Sequence, residues 1–232
     1  MLHELGANLN AVSALGRTPA FDAAWYGHGG CLRVLHELGA NLNAATPDGR
    51  TPAFDAAWYG HDGCLRVLHE RGANLNAATS DGLTPAHNAA TNGQDGCLRV
   101  LHELGANLNA AASRGRTPTH NAAANGQDTC LRVLHNVGAN LNAATSRGQT
   151  PADLAAAKAH NRCVSVLHRS MHLRTRNIQS LEWSTDTHHI FVEEDKLLVK
   201  HIVLTLALMS LRLPRLGINE DVTFAIIRQA VL

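Results

Sequence analysis

The sequence has almost no net charge, no long hydrophobic run and no leader-like start. Its formal net charge is +1 over 232 residues, so no strong field would attract nucleic acid or an anionic membrane surface. The longest uncharged apolar run, His201 to Leu211, is well short of the ~20 residues that span a bilayer. The first residues lack the basic and apolar pattern of a signal peptide. We therefore expect a soluble protein of the cytoplasm or nucleus, not a secreted one, with no nucleic-acid or membrane partner.

The signatures of common enzymes are also missing. The chain contains no Gly-rich phosphate loop, no HExxH zinc pair and no GxSxG elbow. Asp22 and Asp55 lie within predicted helices, and we interpret each as a polar contact to a hairpin rather than as a general base. The sequence thus predicts a protein that is not an enzyme and has no cofactor, no metal site and no catalytic residue.

Cysteine is scarce, but its few residues are evenly spaced. Cys31, Cys64, Cys97, Cys130 and Cys163 follow one another every 33 residues, and five Thr-Pro pairs keep the same interval. A fixed period of this length predicts stacked supersecondary units. Packed helices lie roughly 8–10 Å apart, beyond the Cα separation of about 7 Å that a disulfide accepts. The cysteines are therefore predicted to be free thiols that fill a small apolar position, in a reducing compartment.

One period, 49–81, shows how a unit is built. Thr51 before a proline predicts a helix start, and this first helix should end at Gly60. A second helix is predicted from Cys64 to Glu70, with Cys64, Val67 and Leu68 on one buried stripe. Gly72 should end it in a left-handed conformation. The next residues, 74–77, are expected to run extended into a turn at Gly82.

These motifs resemble the ankyrin repeat. The second period contains Gly49-Arg50-Thr51-Pro52-Ala53-Phe54-Asp55-Ala56-Ala57, Gly60-His61, Val67-Leu68 and Gly72-Ala73-Asn74-Leu75-Asn76-Ala77. The third and fourth come closer still to the T-P-L-H-x-A signature, with Thr84-Pro85-Ala86-His87 and Thr117-Pro118-Thr119-His120. The resemblance implies an all-α fold with hairpin loops, an ankyrin-type solenoid of helix-turn-helix-β-hairpin units. The apolar and capping pattern of the tail adds a predicted C-terminal helical extension.

The periodicity divides the chain into a solenoid, 1–170, and a tail. The solenoid consists of a partial repeat 1–15, repeat 1 (16–48), repeat 2 (49–81), repeat 3 (82–114), repeat 4 (115–147) and a degenerate repeat 5 (148–170). The tail consists of a linker, 171–192, in which 189–192 has the composition of a short strand, and a helical extension or cap, 193–232. The partial first repeat leaves two readings open: a natural protein that starts earlier, which we favour, or a face that meets another molecule, including self-association.

Histidine recurs with the same period. His36, His69, His102 and His135 each follow a cysteine by five residues, so the two side chains lie on different faces of the helix. Equivalent residues in neighbouring repeats are too far apart to share a zinc ion. We predict that these histidines are semi-buried between repeats and that their burial makes the fold sensitive to acid.

The binding surface is inferred from the resemblance. Ankyrin proteins contact partners through hairpin tips and first helices, and exposed Trp, Tyr and Arg dominate interface energetics. The residues at those positions predicted to bind a partner are Arg17, Trp25, Tyr26, Asp48, Arg50, Trp58, Tyr59, Arg71, Asp81, Asn92, Arg114, Arg116 and Asn125. The aromatic residues lie in repeats 1 and 2, so contact should be concentrated there. The alternative is that they pack beneath the hairpins, or are copies left by duplication.

The predicted function is a non-enzymatic scaffold that binds another protein. An alternative uses the tail: Leu213-Pro214 followed by Glu220-Asp221-Val222 and Ile226-Ile227 faintly resembles an F-box-like helix. In some ankyrin proteins such a helix follows the repeats and docks a ubiquitin ligase, which would make the chain an adaptor.

Overall fold

The computed structural model describes residues 7–168, which form a row of antiparallel helix pairs. The α-helices are α1 Pro19–Trp25, α2 Gly29–Glu37, α3 Pro52–Tyr59, α4 Asp62–Glu70, α5 Pro85–Thr91, α6 Asp95–Glu103, α7 Pro118–Ala124, α8 Asp128–Asn136 and α9 Pro151–Ala157. A further helix, α10, covers 161–168, and Ser113–Gly115 forms one 3-10 turn. No strand is present among the residues described, which confirms the all-α architecture.

Each first helix begins at a Thr-Pro pair, as predicted. The Thr18 hydroxyl accepts from the backbone N–H of Phe21 at 3.2 Å, and Thr51 accepts from Phe54 at 3.3 Å. Proline follows each cap at the first helical position, where its missing N–H costs nothing. The caps therefore fix where α1, α3, α5, α7 and α9 begin, and these helices pack side by side in one layer.

The second helices form the other layer and bury the predicted apolar stripe. Cys64, Val67 and Leu68 are all buried, and the equivalent residues of α6 and α8 are buried too. The helix α4 starts at Asp62, two residues earlier than the sequence pattern indicated. Gly72 has φ +77°, which confirms the left-handed stop.

The hairpin tips are joined to one another along the solenoid. The backbone N–H of Ser80 donates to the carbonyl of Asp48 at 3.1 Å, and Ser113 donates to Asp81 at 2.9 Å. Repeat 4 continues the series, because Ser146 donates to the carbonyl of Arg114 at 2.9 Å. The tips thus present one continuous edge.

The segment 74–77 is not extended, so that expectation was wrong. The backbone N–H of Asn76 donates to Oδ1 of Asn74 at 2.8 Å, a local bond that closes a turn. The side chain of Asn76 then accepts from the backbone of Asn107 in the next repeat, also at 2.8 Å. The same pair of bonds recurs at 41–43 and at 107–109, so an asparagine ladder runs along the outer side of the solenoid.

The predicted linker, the helical extension expected at 193–232 and the F-box-like motif lie outside the described residues. No helix between residues 7 and 168 combines the length and apolar character needed to cross a membrane.

Candidate functional site

Repeats 1 and 2 differ from repeats 3 and 4 at the third residue after the capping threonine. Repeats 3 and 4 have His87 and His120, which link their helix to the next hairpin. Nδ1 of His87 accepts from the backbone N–H of Thr84 at 3.2 Å, while Nε2 donates to the carbonyl of Arg116 at 3.0 Å. Repeats 1 and 2 have Phe21 and Phe54 instead, which cannot make these bonds.

An arginine occupies the space beside the two phenylalanines. The guanidinium of Arg50 lies 5.7 Å from the ring of Phe21 and 5.8 Å from that of Phe54. It also forms an ion pair with Asp55, in which Nε donates to Oδ2 at 3.3 Å. Asp55 has no exposed surface. Burial raises the pKa of the Asp55 carboxyl, and the adjacent Arg50 partly opposes that shift.

The same arginine reaches a second aromatic layer across the repeat boundary. Arg50 lies 5.7 Å from the ring of Trp25, and Arg17 lies 5.2 Å from it on the repeat 1 side. The ring of Tyr59 packs against Trp25 at 4.7 Å with a tilt of 41°, and Trp58 adjoins Tyr59 at 6.5 Å. We call Arg17, Trp25, Arg50, Trp58 and Tyr59 the aromatic–arginine cluster.

The cluster is partly open to solvent. Trp58 is 39% exposed, Tyr59 is 40% exposed, and the adjoining Tyr26 is 62% exposed. Trp25 is only half-buried, because repeat 2 supplies Tyr59 and Arg50 against it. Trp25 is thus partly covered by repeat 2, whereas Tyr26, Trp58 and Tyr59 remain exposed.

Repeats 3 and 4 have no equivalent surface. Thr91-Asn92 and Ala124-Asn125 occupy the positions of the two Trp-Tyr pairs. The side-chain amides of both asparagines turn back to their own helices, with Nδ2 of Asn92 donating to the carbonyl of Asn88 at 3.0 Å and Asn125 to Asn121 at 2.8 Å. The aromatic residues and their arginines are thus concentrated in the N-terminal half.

The remaining residues from the predicted surface lie apart from the cluster. Asp48, Asp81, Arg114 and Arg116 are exposed at or beside the hairpin tips. Arg71 is the C-cap residue that follows α4, and it forms an ion pair with Glu37 at 3.5 Å. The structure thus places Arg71 with the second helices rather than with the aromatic rings.

Sequence reasoning missed the role of Phe21 and Phe54. The signal was available, since phenylalanine replaces histidine at a position that repeats 3 and 4 keep. The interpretation of Asp22 and Asp55 as polar contacts to the hairpins is confirmed, because Asp22 pairs with Arg17 at 3.2 Å and Asp55 pairs with Arg50.

The expectation of semi-buried ladder histidines holds for His36 and His135, which are half-buried, but it was wrong for the other two. His69 and His102 are exposed at the ends of the second helices. The fully buried histidines are His87 and His120, and burial lowers the pKa of both imidazoles, partly opposed by their hydrogen bonds to backbone carbonyls.

The cysteines are free, and four of the five are buried as expected. Burial raises the pKa of Cys64 to about 11 and those of Cys97 and Cys130 to about 12, and it also raises that of Cys163. Such thiols are poor nucleophiles. Cys31 departs from the prediction, because its side chain is exposed.

Within 7–168, no three His, Cys, Asp or Glu residues are grouped so as to hold a metal ion.

Comparison with family models finds ankyrin repeats, in three overlapping copies that match residues 1–79, 23–112 and 86–177. No curated protein matches the chain.

Proposed function

Because the chain belongs to the ankyrin repeat family, whose members generally mediate protein–protein interaction and typically lack catalysis, we propose that it is a scaffold binding another protein through its aromatic–arginine cluster. Tyr26 and the hairpin tips at Asp48 and Asp81 border that contact. The observation that carries the proposal is the exposure of Tyr26 in repeat 1 and of Trp58 and Tyr59 in repeat 2.

Exposed aromatic residues of this kind suit an interface. Tryptophan, tyrosine and arginine are the residues whose truncation most often costs ~2 kcal/mol or more of binding energy. In a monomer, by contrast, large aromatic side chains mostly bury their apolar surface. Three exposed rings in two adjacent repeats, Tyr26, Trp58 and Tyr59, therefore favour a contact with a partner over a purely internal role.

The charges of the cluster narrow the type of partner. Arg50 is paired with Asp55, and Arg17 with Asp22, so the guanidinium planes contribute flat stacking surface with little unbalanced positive charge. A strongly acidic partner segment gains little from paired cations. We therefore expect the partner to insert aliphatic, proline or aromatic side chains.

The proposal can be tested by replacing residues of one repeat with those at the same positions in another repeat. The double variant Trp58→Thr, Tyr59→Asn places in repeat 2 the residues that repeat 3 carries at the same positions, Thr91 and Asn92. The scaffold accepts them there, so the fold should survive. We expect the captured partner to be lost in proximity capture from native lysate, while the far-UV circular dichroism of the variant stays that of the wild type.

A control variant changes repeat 4, which lacks the aromatic residues, instead of repeat 2. The variant Ala124→Thr exchanges one repeat 4 residue for the one that repeat 3 carries, and partner capture should be unchanged. Equal capture by wild type and by the repeat 2 variant, with both folded, would remove the proposal.

We further propose that the protein works in a reducing compartment, the cytoplasm or nucleus. The support is that all five cysteines, including the exposed Cys31, are free, as expected where thiols are kept reduced.

A further inference from the structure

The three rings of the aromatic–arginine cluster carry hydrogen-bond donors that no described residue accepts. Between residues 7 and 168, the indole N–H of Trp58 and the hydroxyl of Tyr59 have no hydrogen-bond partner, and both side chains are exposed. The indole N–H of Trp25 also lacks an acceptor, but it is not closed off from solvent. An indole N–H can only donate. The cluster therefore offers donors to a ligand that supplies acceptors.

The acceptors around the rings, by contrast, are already in use. The carbonyl of Trp25 accepts from Nε2 of His61 at 3.1 Å, and the carbonyl of Trp58 accepts from Nε2 of Gln94 at 3.2 Å. The two carboxylates beside the rings are paired with the arginines of the cluster. A ligand with many backbone N–H groups would lose its hydrogen bonds to water here and find few acceptors in return.

A proline-rich segment has the complementary set of groups. Proline has a carbonyl acceptor but no backbone N–H, and the polyproline II helix makes no internal hydrogen bonds, so its carbonyls stay available. An α-helix uses its carbonyls internally and would leave the donors of the cluster unpaired. A β-strand carries an N–H at every residue and needs a sheet edge, and no strand is present among residues 7–168.

The spacing of the rings also suits this conformation. Trp25 and Trp58 hold the same position in adjacent repeats, whose packed first helices lie ~8–10 Å apart. The ring of Tyr59 lies between them, 4.7 Å from Trp25 and 6.5 Å from Trp58. A polyproline II helix advances ~9 Å in each turn of three residues. A segment that crosses the repeat boundary can therefore bring every third residue to one tryptophan.

We propose that the aromatic–arginine cluster binds a proline-rich segment of the partner in polyproline II conformation. Its prolines pack on the rings, and its carbonyls accept from the two indoles and from the Tyr59 hydroxyl. The inference rests on the proposed function, because it names the chemistry of the partner at the same cluster. Asn92 and Asn125 use their side-chain amides on their own helices, so repeats 3 and 4 do not extend the site.

The test measures binding of a labelled peptide to the full chain by fluorescence anisotropy. The probe consists of four Pro-Pro-Leu triplets, about four turns of polyproline II helix. Its control is the same peptide made from D-amino acids, which keeps the composition, the apolar area and the carbonyls but winds in the opposite hand. We expect the L-peptide to bind at least ~10-fold more tightly than the D-peptide. Equal binding of the two peptides, or no binding of the L-peptide, would overturn the proposal.

Variants of the full chain separate the donors from the rings. Tyr59→Phe keeps the ring against Trp25 but removes the hydroxyl, and it should weaken binding of the L-peptide by about 5-fold, the usual effect of one hydrogen bond. The double variant Trp58→Thr, Tyr59→Asn should weaken it by at least ~10-fold, and Ala124→Thr should leave it unchanged. Unaltered binding by Tyr59→Phe would contradict the role of the donors.

The same variants distinguish this inference from the proposed function. Loss of the lysate partner in the double variant, together with no binding of the L-peptide to the wild type, would keep the scaffold function and reject the proline-rich segment. Equal capture of the lysate partner by the wild type and by the folded double variant would reject the scaffold function itself.

Discussion

The ring of Tyr59 packs against that of Trp25 in the preceding repeat, with 4.7 Å between their centroids. Tyr59 therefore joins two repeats while leaving part of its surface open. Its twin in repeat 1, Tyr26, has its recorded ring contact with His28 of the same repeat, at 6.2 Å. One residue type at one repeat position thus has two structural roles.

This difference predicts unequal effects of the same substitution. Tyr59→Asn should lower the free energy of unfolding by about 1 kcal/mol, because it removes an aromatic pair between repeats. Tyr26→Asn should change it by less than ~0.5 kcal/mol, as for an exposed surface residue. Urea unfolding followed by circular dichroism measures both. Equal losses would show that the Trp25–Tyr59 pair does not couple the repeats.

The ion pair between Arg50 and Asp55 predicts that a single and a double variant differ in their free energy of unfolding. Arg50→Leu alone should destabilise the fold by about 3 kcal/mol, because it leaves the buried Asp55 carboxylate unpaired. The double variant Arg50→Leu, Asp55→Asn copies Leu83 and Asn88 of repeat 3. It should recover most of that loss, since no buried charge is left.

Chemical denaturation of the wild type, the single variant and the double variant tests this compensation. The variant Arg50→Lys is a useful control, since it keeps the charge but loses the planar group that stacks on the rings. A double variant as unstable as Arg50→Leu would mean that stacking on the aromatic rings, rather than the ion pair, dominates the role of Arg50.

Much of the fold could be predicted from the sequence because its determinants are local and repeated. The Thr-Pro pairs set the helix starts through caps that reach only three residues, and the stripe of Cys64, Val67 and Leu68 identifies the buried side of α4. The exposed ladder histidines could have been anticipated on the same basis. A residue five positions after cysteine lies about 140° around the helix, away from that buried stripe.

The details of the candidate site depended on contacts between repeats. The Trp25–Tyr59 packing joins residues that are far apart in sequence, and nothing local to Trp25 indicates that repeat 2 would half-bury it. The pairing of Arg50 with Asp55 accompanies the replacement of histidine by Phe54, and that replacement became informative only beside the hydrogen bonds of His87. The left-handed conformation of Ala159 was overlooked because alanine has no general preference for it.

The fold is still expected to lose stability in acid, but the histidines responsible are the buried His87 and His120 and not those of the histidine ladder. Nδ1 of His87 accepts a hydrogen bond from Thr84, so a proton there would place two donors face to face. The folded pKa values of His87 and His120 are lowered, chiefly by burial. Stability is therefore full above the unfolded value of about 6.5 and is lost as pH falls below it towards the folded pKa values.

The pH dependence of stability is checked by measuring thermal melts of the protein between about pH 7.5 and about pH 5. Each histidine contributes a slope of at most about 1.4 kcal/mol per pH unit. His87→Phe, the residue present in repeats 1 and 2, should lower stability at neutral pH but flatten the slope, and adding His120→Phe should flatten it further. His69→Phe, at an exposed ladder position, is the control and should leave the slope unchanged. An unaltered slope in the double variant would exclude these two histidines as its source.

The asparagine ladder predicts that an exposed polar residue contributes to the coupling of repeats. Oδ1 of Asn76 accepts from the backbone N–H of Asn107 at 2.8 Å. Asn76→Ala should cost about 1 kcal/mol, the usual net value of one hydrogen bond, and should speed hydrogen exchange at the Asn107 amide. Asn76→Asp keeps the acceptor and should retain that protection. Unchanged exchange in the alanine variant would show that the bond does not hold the two repeats together.

Ala159 predicts a gain in stability from a single substitution. Its φ of +57° lies in the left-handed region, which costs a residue with a Cβ roughly 1 kcal/mol. Ala159→Gly removes that strain but adds freedom to the unfolded chain, so the net gain should be about 0.5 kcal/mol. Ala157→Gly, at the end of the regular helix α9, should lose a similar amount because glycine disfavours the helix. Thermal melts of the two variants should therefore shift in opposite directions. Loss of stability in both variants would mean that the turn after α9 gains nothing from glycine.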